Sequence, residues 1–191
     1  MNKEIWLLLD SSSPGGIESH VLQLATSLIV QGHKARVIFL NDHGPHPLRD
    51  ALIEEKVPTD TLNGKVTALW RHISNGRPSL LHTHGYKAGI LGRLMGRLFS
   101  VPVVSTFHAG ERPSGKLALY DFLDRNSARL AQKVFAVSPE IAARLPVQSV
   151  VLDNFVDTSR LAQSSGQRIA FVGRLSEEKG PDYFLDLAAR F

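Results

Sequence analysis

Four clusters of residues combine side-chain types at spacings that suit chemistry at a phosphate or a hydroxyl. Gly173-Arg174…Lys179-Gly180 sets two cations around a glycine turn that opens a helix. Arginine offers a planar fork of donors and lysine a compact charge, a pair suited to a diphosphate. Glu177 and Glu178 lie between them, so a self-paired charged loop is the competing reading. Ser11-Ser12-Ser13-Pro14-Gly15-Gly16-Ile17-Glu18 joins an apolar run to an amphipathic one. Gly15 and Gly16 would let backbone N–H groups approach an anion at a helix N-terminus, where the dipole favours negative charge. They serve a plain tight turn equally well, and the spacing is not the G-x-G-x-x-G of a dinucleotide site.

Two histidine clusters complete the set: His82-Thr83-His84-Gly85-Tyr86 and Ser105-Thr106-Phe107-His108-Ala109-Gly110. Histidines two apart on a strand face the same side, so metal ligation by His82 and His84 has to be weighed. The sequence supplies no nearby carboxylate or third histidine to complete a ligand set, and no metal is expected. His84 and Tyr86 are read as contacts to a polar substrate. His108 is read as a neutral imidazole that accepts a proton or hydrogen-bonds a hydroxyl. Structural hydrogen bonding is the alternative for both histidines. A serine-hydrolase reading fails for want of a G-x-S-x-G elbow.

These clusters need a scaffold, and the hydrophobic pattern describes one. Short apolar runs at 4–9, 34–40, 79–82, 102–107, 133–137, 149–152 and 168–172, with a weaker one near 59–62, alternate with amphipathic stretches. That alternation predicts an α/β, Rossmann-like doubly wound fold with a mainly parallel sheet and helices on both faces. Ile17, Val21, Leu24, Ala25, Leu28 and Ile29 form one helical stripe that Gly32 would cap. Val66, Leu69, Trp70 and Ile73 form another, and Leu91, Leu94, Met95 and Leu98 a third. The third stripe's segment, 87–99, also carries Gly89, Gly92 and Gly96 for close packing on the sheet. Its Arg93 and Arg97 leave a membrane-surface role as the alternative. Ser138-Pro139-Glu140 is a helix start with an N-cap, a first-turn proline and an acid near the dipole. Residues 41–47 read as a turn-rich loop with two histidines.

Composition sets the limits. The 191 residues fit one generous domain. There are no cysteines, which excludes a thiolate nucleophile, a disulfide framework and a cysteine zinc site. The net charge of +4 is modest and the cations are scattered, so no nucleic-acid face is expected. No secretory signal and no transmembrane-length apolar run is seen, and a cytoplasmic location is expected.

In this order, the segments resemble the retaining glycosyltransferases of family four, with the GT-B fold of two facing Rossmann-like domains. Gly15-Gly16-Ile17-Glu18 resembles the family's early glycine loop, and His82-Thr83-His84-Gly85 its "H-x-H" strand end. Ser105-Thr106-Phe107-His108 resembles the "T-x-H" segment, and Val137-Ser138-Pro139 the "V-S" helix start. Asn154-Phe155-Val156-Asp157 is similar to the "N-G-V-D" turn, with Phe155 in place of glycine. Phe171-Val172-Gly173-Arg174-Leu175…Lys179-Gly180 is similar to the opening of the donor domain.

The resemblance implies a hexose moved from a nucleotide sugar to a hydroxyl with retention, in polysaccharide, lipopolysaccharide or glycolipid synthesis. It gives His108 a catalytic role, positioning the reacting sugar, and gives His84 and Tyr86 to the acceptor. Gly15, Gly16, Arg174 and Lys179 go to the donor phosphates, with no metal or other cofactor. The implied acceptor is a saccharide or lipid-linked molecule, with peripheral contact at the inner face of the plasma membrane. Residues 1–163 are expected to form the acceptor domain. Residues 164–191 are expected to be a linker and the first strand and helix of a donor domain. By itself such a chain is expected to be inactive, and the apolar face of its last helix (Tyr183, Phe184, Leu187, Phe191) to seek cover, including on a second copy. Two other readings stand beside this one: a sugar-nucleotide epimerase of the same two-domain fold, and a non-catalytic binding domain.

Overall fold

The computed structural model describes residues 4–110, 113–152, 155, 166, 169–173, 175 and 177–190. The chain divides into two compact units, Met1–Val156 and Asp157–Phe191. Composition marks the boundary at 163–167; packing marks it earlier. Phe155 still sets its ring against His20 of the first unit, with centroids 5.5 Å apart.

In the first unit, β1 (Glu4–Leu9), β2 (Lys34–Phe39), β3 (Thr59–Thr61), β4 (Leu80–His84), β5 (Val103–Phe107), β6 (Lys133–Ala136) and β7 (Val150–Val151) form one sheet. The order is β3-β2-β1-β4-β5-β6-β7, and each pairing is parallel. The direction of winding reverses between β1 and β4, the position where a doubly wound sheet opens a crevice at its carboxyl edge.

The helices are α1 (Gly16–Val30), α2 (Pro47–Glu54), α3 (Val66–Gly76), α4 (Tyr86–Phe99), α5 (Lys116–Ser127) and α6 (Pro139–Ala143). Strand alternation sends Leu7, Leu9, Val37 and Phe39 to one face, where they meet Val21 and Ala25 of α1 and Leu48 and Leu52 of α2. Leu8, Ile38 and Leu81 point the other way, onto Leu69 and Ile73 of α3 and Ala88 and Met95 of α4. Both faces are covered, which is why the strands read as continuous apolar runs. Gly32 at φ 83° closes α1. Its N–H bonds to the Ile29 carbonyl and that of His33 to the Leu28 carbonyl.

Helix α4 lies on the sheet, not free at a surface. A Cβ at Gly92 would come within 2.4 Å of Thr83 Cγ2, and one at Gly96 within 2.1 Å of Val103 Cγ2. Arg93 is buried on the same side and pairs with Asp124 of α5. Helices α2 and α5 escape the periodicity argument. Helix α5 in particular buries Asp121 and Asp124 while Leu119 and Phe122 face out, the reverse of an amphipathic stripe.

In the second unit, a 3-10 turn (Glu177–Lys179) runs through Gly180, at φ 62°, into α7 (Pro181–Ala188). Phe171 packs on Phe184 with centroids 5.6 Å apart, while Tyr183 and Leu187 are exposed. The strand expected at 168–172 is not formed at 169–172, and Arg168 lies outside the described residues. A strand needs a neighbour to complete its ladder, and the second unit has no other strand among its described residues. Phe191 also lies outside them.

Candidate functional site

The site begins where β1 ends. Asp10 accepts from Lys87 Nζ at 2.8 Å and sits 2.8 Å from His43 Nε2. Burial raises its pKa, but the bonds from Lys87 and His43 outweigh that and hold the carboxyl below its ordinary value. Asp10 thus ties the β1 end to α4 and to the 41–47 loop. The loop to α1 follows. His46 Nδ1 accepts the Leu48 N–H, so its Nε2 carries the proton and donates to Ser11 Oγ at 3.0 Å. Ser11 in turn donates to the Ser13 carbonyl. A buried histidine on one loop therefore fixes the shape of the next.

Gly15 is the N-cap residue of α1, and no side chain caps the helix. A Cβ at Gly16 would meet nothing within 4 Å, and its φ is not positive. The fold itself does not demand glycine at this position. What glycine leaves is open space at a helix N-terminus beside the winding switch.

Four histidines converge on one face of the sheet. Strand β4 extends to His84, two residues beyond the apolar run that marks it in sequence. Register pairs Leu9 with His84 and His84 with Thr106. His82 and His84 therefore share the α1 face, with ring centroids 4.4 Å apart. His82 Nε2 lies 2.8 Å from Thr106 Oγ1. His84 Nδ1 lies 3.2 Å from His108 Nε2. The fourth ring is His20, from the second turn of α1. Its centroid is 4.9 Å from that of His108 and 5.4 Å from that of His84.

Burial strips these rings of water and disfavours their charged forms. His82 and His108 are pushed down to about 3 by burial first and by neighbouring histidines second. His84 falls well below the ordinary value for the same reasons, and burial lowers His20. At neutral pH the cluster is uncharged. It can give and take hydrogen bonds, but it does not store protons.

His108 also lines a cavity of about 70 Å³ at the carboxyl edge, together with Ile17, Tyr86, Asp121, Arg125 and Arg144. Its volume falls short of the roughly 300–1,000 Å³ that encloses a small ligand, so it is one wall of a site. Asp121 holds Arg125 Nη2 at 2.7 Å and Arg144 Nη2 at 3.7 Å, and Arg144 Nη1 donates to the Gly110 carbonyl at 2.7 Å. A larger cavity, about 1020 Å³, opens at the opposite end of the sheet around Gly76, Pro78, Phe99 and Pro102. Its polar lining is three serines and Arg77, with no histidine or carboxylate.

The model of Glycosyltransferase Family 4 matches residues 14–160. The chain belongs to this family. It is 29% identical to the phosphatidyl-myo-inositol mannosyltransferase of Mycobacterium tuberculosis over 91% of this chain and 52% of that protein. It is 30% identical to an Escherichia coli galactosyltransferase named for a GlcNAc-diphosphoundecaprenol acceptor, over 63% of this chain and 38% of that protein. The chain thus spans about half the length, or less, of the curated relatives it matches. Among solved structures, Anabaena HepE with UDP and glucose aligns at a TM-score of 0.66 and 20% identity, covering 83% of this chain and 46% of that one. Staphylococcus aureus MnaA with UDP aligns at 0.57 and 21% identity, covering 74% and 40%. These likenesses show the fold, a Rossmann-like domain of the GT-B kind.

The sequence-derived residues fall into three groups. Gly15, Gly16, His84, Tyr86 and His108 all stand at the carboxyl edge: at the start of α1, at the end of β4 and start of α4, and just after β5. Lys179 belongs to the second unit, at the end of the 3-10 turn before α7, and Arg174 lies outside the described residues. His20, His46, Asp10 and Asp121 were not legible as site residues, because each reaches the site from an element whose neighbours only the fold sets. The spacing in sequence pairs His82 with His84, but the three histidines whose ring nitrogens cluster include His84 without His82. Ring nitrogens of His20, His84 and His108 lie within 4.8 Å of one another.

Proposed function

We propose that this chain is the acceptor-side half, with the opening of the donor side, of a retaining glycosyltransferase. The full protein would move a hexose from a nucleotide sugar to a hydroxyl of a lipid-linked or glycolipid acceptor. The observation that carries this reading is the convergence of Gly16, His84 and His108 at the winding switch of a family 4 chain. Backbone N–H groups beside Gly16 would approach the donor diphosphate. Arg174 and Lys179 would take the charge of the departing diphosphate, a role that needs no metal. The bond from the anomeric carbon to the diphosphate oxygen breaks, and a bond to the acceptor oxygen forms on the same face. The acceptor proton goes to the departing diphosphate. His108, held neutral, would hydrogen-bond and orient a sugar hydroxyl, with His84 behind it fixing the ring.

The relatives' names favour a lipid-borne acceptor. The exposed Leu119, Phe122 and Leu123 of α5 would suit peripheral contact at the cytoplasmic face of a membrane. No helix among the described residues is long and apolar enough to cross one. The exposed Tyr183 and Leu187 of α7 would suit cover by further donor-domain elements or by a second copy.

The test is sugar transfer by the full-length protein from a panel of nucleotide sugars to lipid-linked acceptors. His108→Ala should lower turnover by on the order of 10²-fold at saturating donor while the protein stays folded. Interconversion of free nucleotide sugars with no acceptor would favour the epimerase reading. Normal transfer by folded His108→Ala would overturn the assigned role.

A further inference from the structure

His20, His84 and His108 come from three separate elements: α1, β4 and the turn after β5. Each backbone is anchored independently, so the three imidazoles meet because the fold brings them together. Their ring nitrogens lie within 4.8 Å of one another, and His84 Nδ1 and His108 Nε2 are 3.2 Å apart. Nitrogens bound to one tetrahedral zinc at the usual bond length are separated by about 3.3 Å. One pair already has that spacing. The nitrogen that His20 offers lies within 4.8 Å of both.

In this geometry His84 offers Nδ1 and His108 offers Nε2, and His20 and His84 are buried while His108 is half-buried. The donor set is all nitrogen, with no carboxylate among the three, which disfavours calcium and magnesium and suits the zinc-like divalent ions. His108 lines the cavity at the carboxyl edge, so a fourth position would face solvent or substrate. His82 stands beside the set, but its Nε2 is engaged with Thr106 Oγ1.

We infer that His20, His84 and His108 form a three-imidazole site for a zinc-like divalent cation, and that an ion there blocks transfer by occupying the ring His108 presents to the sugar. The site is inhibitory; it is not the cofactor of the reaction. Metal binding stands on the geometry alone, whereas its effect on transfer rests on the role proposed for His108.

The binding test uses the untagged 191-residue chain titrated with Co²⁺ alone. The expected result is one ion per chain, with visible absorption bands of tetrahedral intensity that Zn²⁺ abolishes by displacement. His20→Ala should lose the bands, while His33→Ala, exposed and past the C-terminal end of α1, should keep them. If His20→Ala does not fold, ¹⁵N imidazole spectra of the unmodified chain decide the matter. Zn²⁺ should shift the signals of His20, His84 and His108 together. No bands, or bands unchanged in folded His20→Ala, would overturn the site. So would zinc shifts confined to other histidines. The inhibition test uses the full-length protein. Zn²⁺ should reduce transfer at least tenfold, with recovery on chelation. Metal bound at the three histidines with transfer unaffected would overturn the inhibition and count against the role of His108. Loss of transfer in His108→Ala without any metal binding would overturn the metal site and leave that role standing.

Discussion

Arg93 offers the most exacting test of how this sheet is held together. Its guanidinium is 1% exposed and is paired with the Asp124 carboxylate, itself 5% exposed. It also donates to Ser105 Oγ at 3.0 Å, the Asp124 carbonyl at 2.8 Å and Ser127 Oγ at 2.9 Å. The cation sits 5.4 Å from the centre of the Phe107 ring. Gly89 makes room for the pair, since a Cβ there would lie 2.2 Å from Asp124 Oδ1. Burial raises the Asp124 carboxyl to about 6, with Arg93 pulling against it, so the pair is still charged at pH 8. Replacing Arg93 with Met keeps volume and removes the partner, leaving a buried carboxylate uncompensated. The expected cost is about 3–5 kcal/mol. For a chain of this size that is a fall in Tm of roughly 6–20 °C.

The same reasoning gives a pH signature. Without Arg93, Asp124 binds a proton more readily in the folded state than in the unfolded chain. The penalty of Arg93→Met should therefore be smaller at pH 5 than at pH 8. Removing both charges, as in Arg93→Met with Asp124→Leu, should recover much of the loss. Urea unfolding followed by the fluorescence of Trp6, buried in the first unit, measures each variant. A single Arg93→Met variant within about 1 kcal/mol of the parent at pH 8 would refute the claim that this pair is desolvated and structural.

Three further outcomes are expected. Gly16→Ala should fold with unchanged stability, because its Cβ has open space, while donor affinity of the full-length protein falls at least tenfold by calorimetry. Equal affinity would remove the loop from the donor site. Acidification should destabilise the first unit. His82 and His108 take up protons in the unfolded chain near 6.5 but in the fold only at about 3. Their stabilisation, complete above the unfolded value, is lost as pH falls through that window. By pH 5 each contributes a loss of about 2 kcal/mol, to be read from the pH dependence of urea midpoints. Constant stability between pH 7 and 5 would show that the cluster is hydrated. In the full-length protein, Lys179→Gln and Arg174→Gln should each lower turnover by roughly 10²–10³-fold while the protein stays folded. Normal turnover in both would remove them from the diphosphate site.

Local pattern determined much of this protein. Continuous apolar runs separated by helical stripes specify strands covered on both faces, and from that the parallel sheet follows. The caps at Gly32 and Ser138 were legible because they depend on residues adjacent in sequence: Gly32 takes φ 83°, and Ser138 Oγ accepts the Ile141 N–H at 3.3 Å. The glycine loop and His84 and His108 were legible as strand-end residues, since each directly follows or ends an apolar run.

What sequence could not settle was everything decided by neighbours distant in the chain. His20 sits on an ordinary amphipathic helix, and only the β1–β4 switch brings it against His84 and His108. His46 lies in a loop, and its role is to fix the turn before α1 from another element. Helix α5 looks inside out, because Arg93 from α4 draws Asp124 inward and Arg125 and Arg144 pair with Asp121. The run at 169–172 has strand composition, yet composition cannot supply the partner that a strand requires. Periodicity records which face of a segment avoids water; which segments then face each other, and which charges meet in the space between them, is set by the three-dimensional packing.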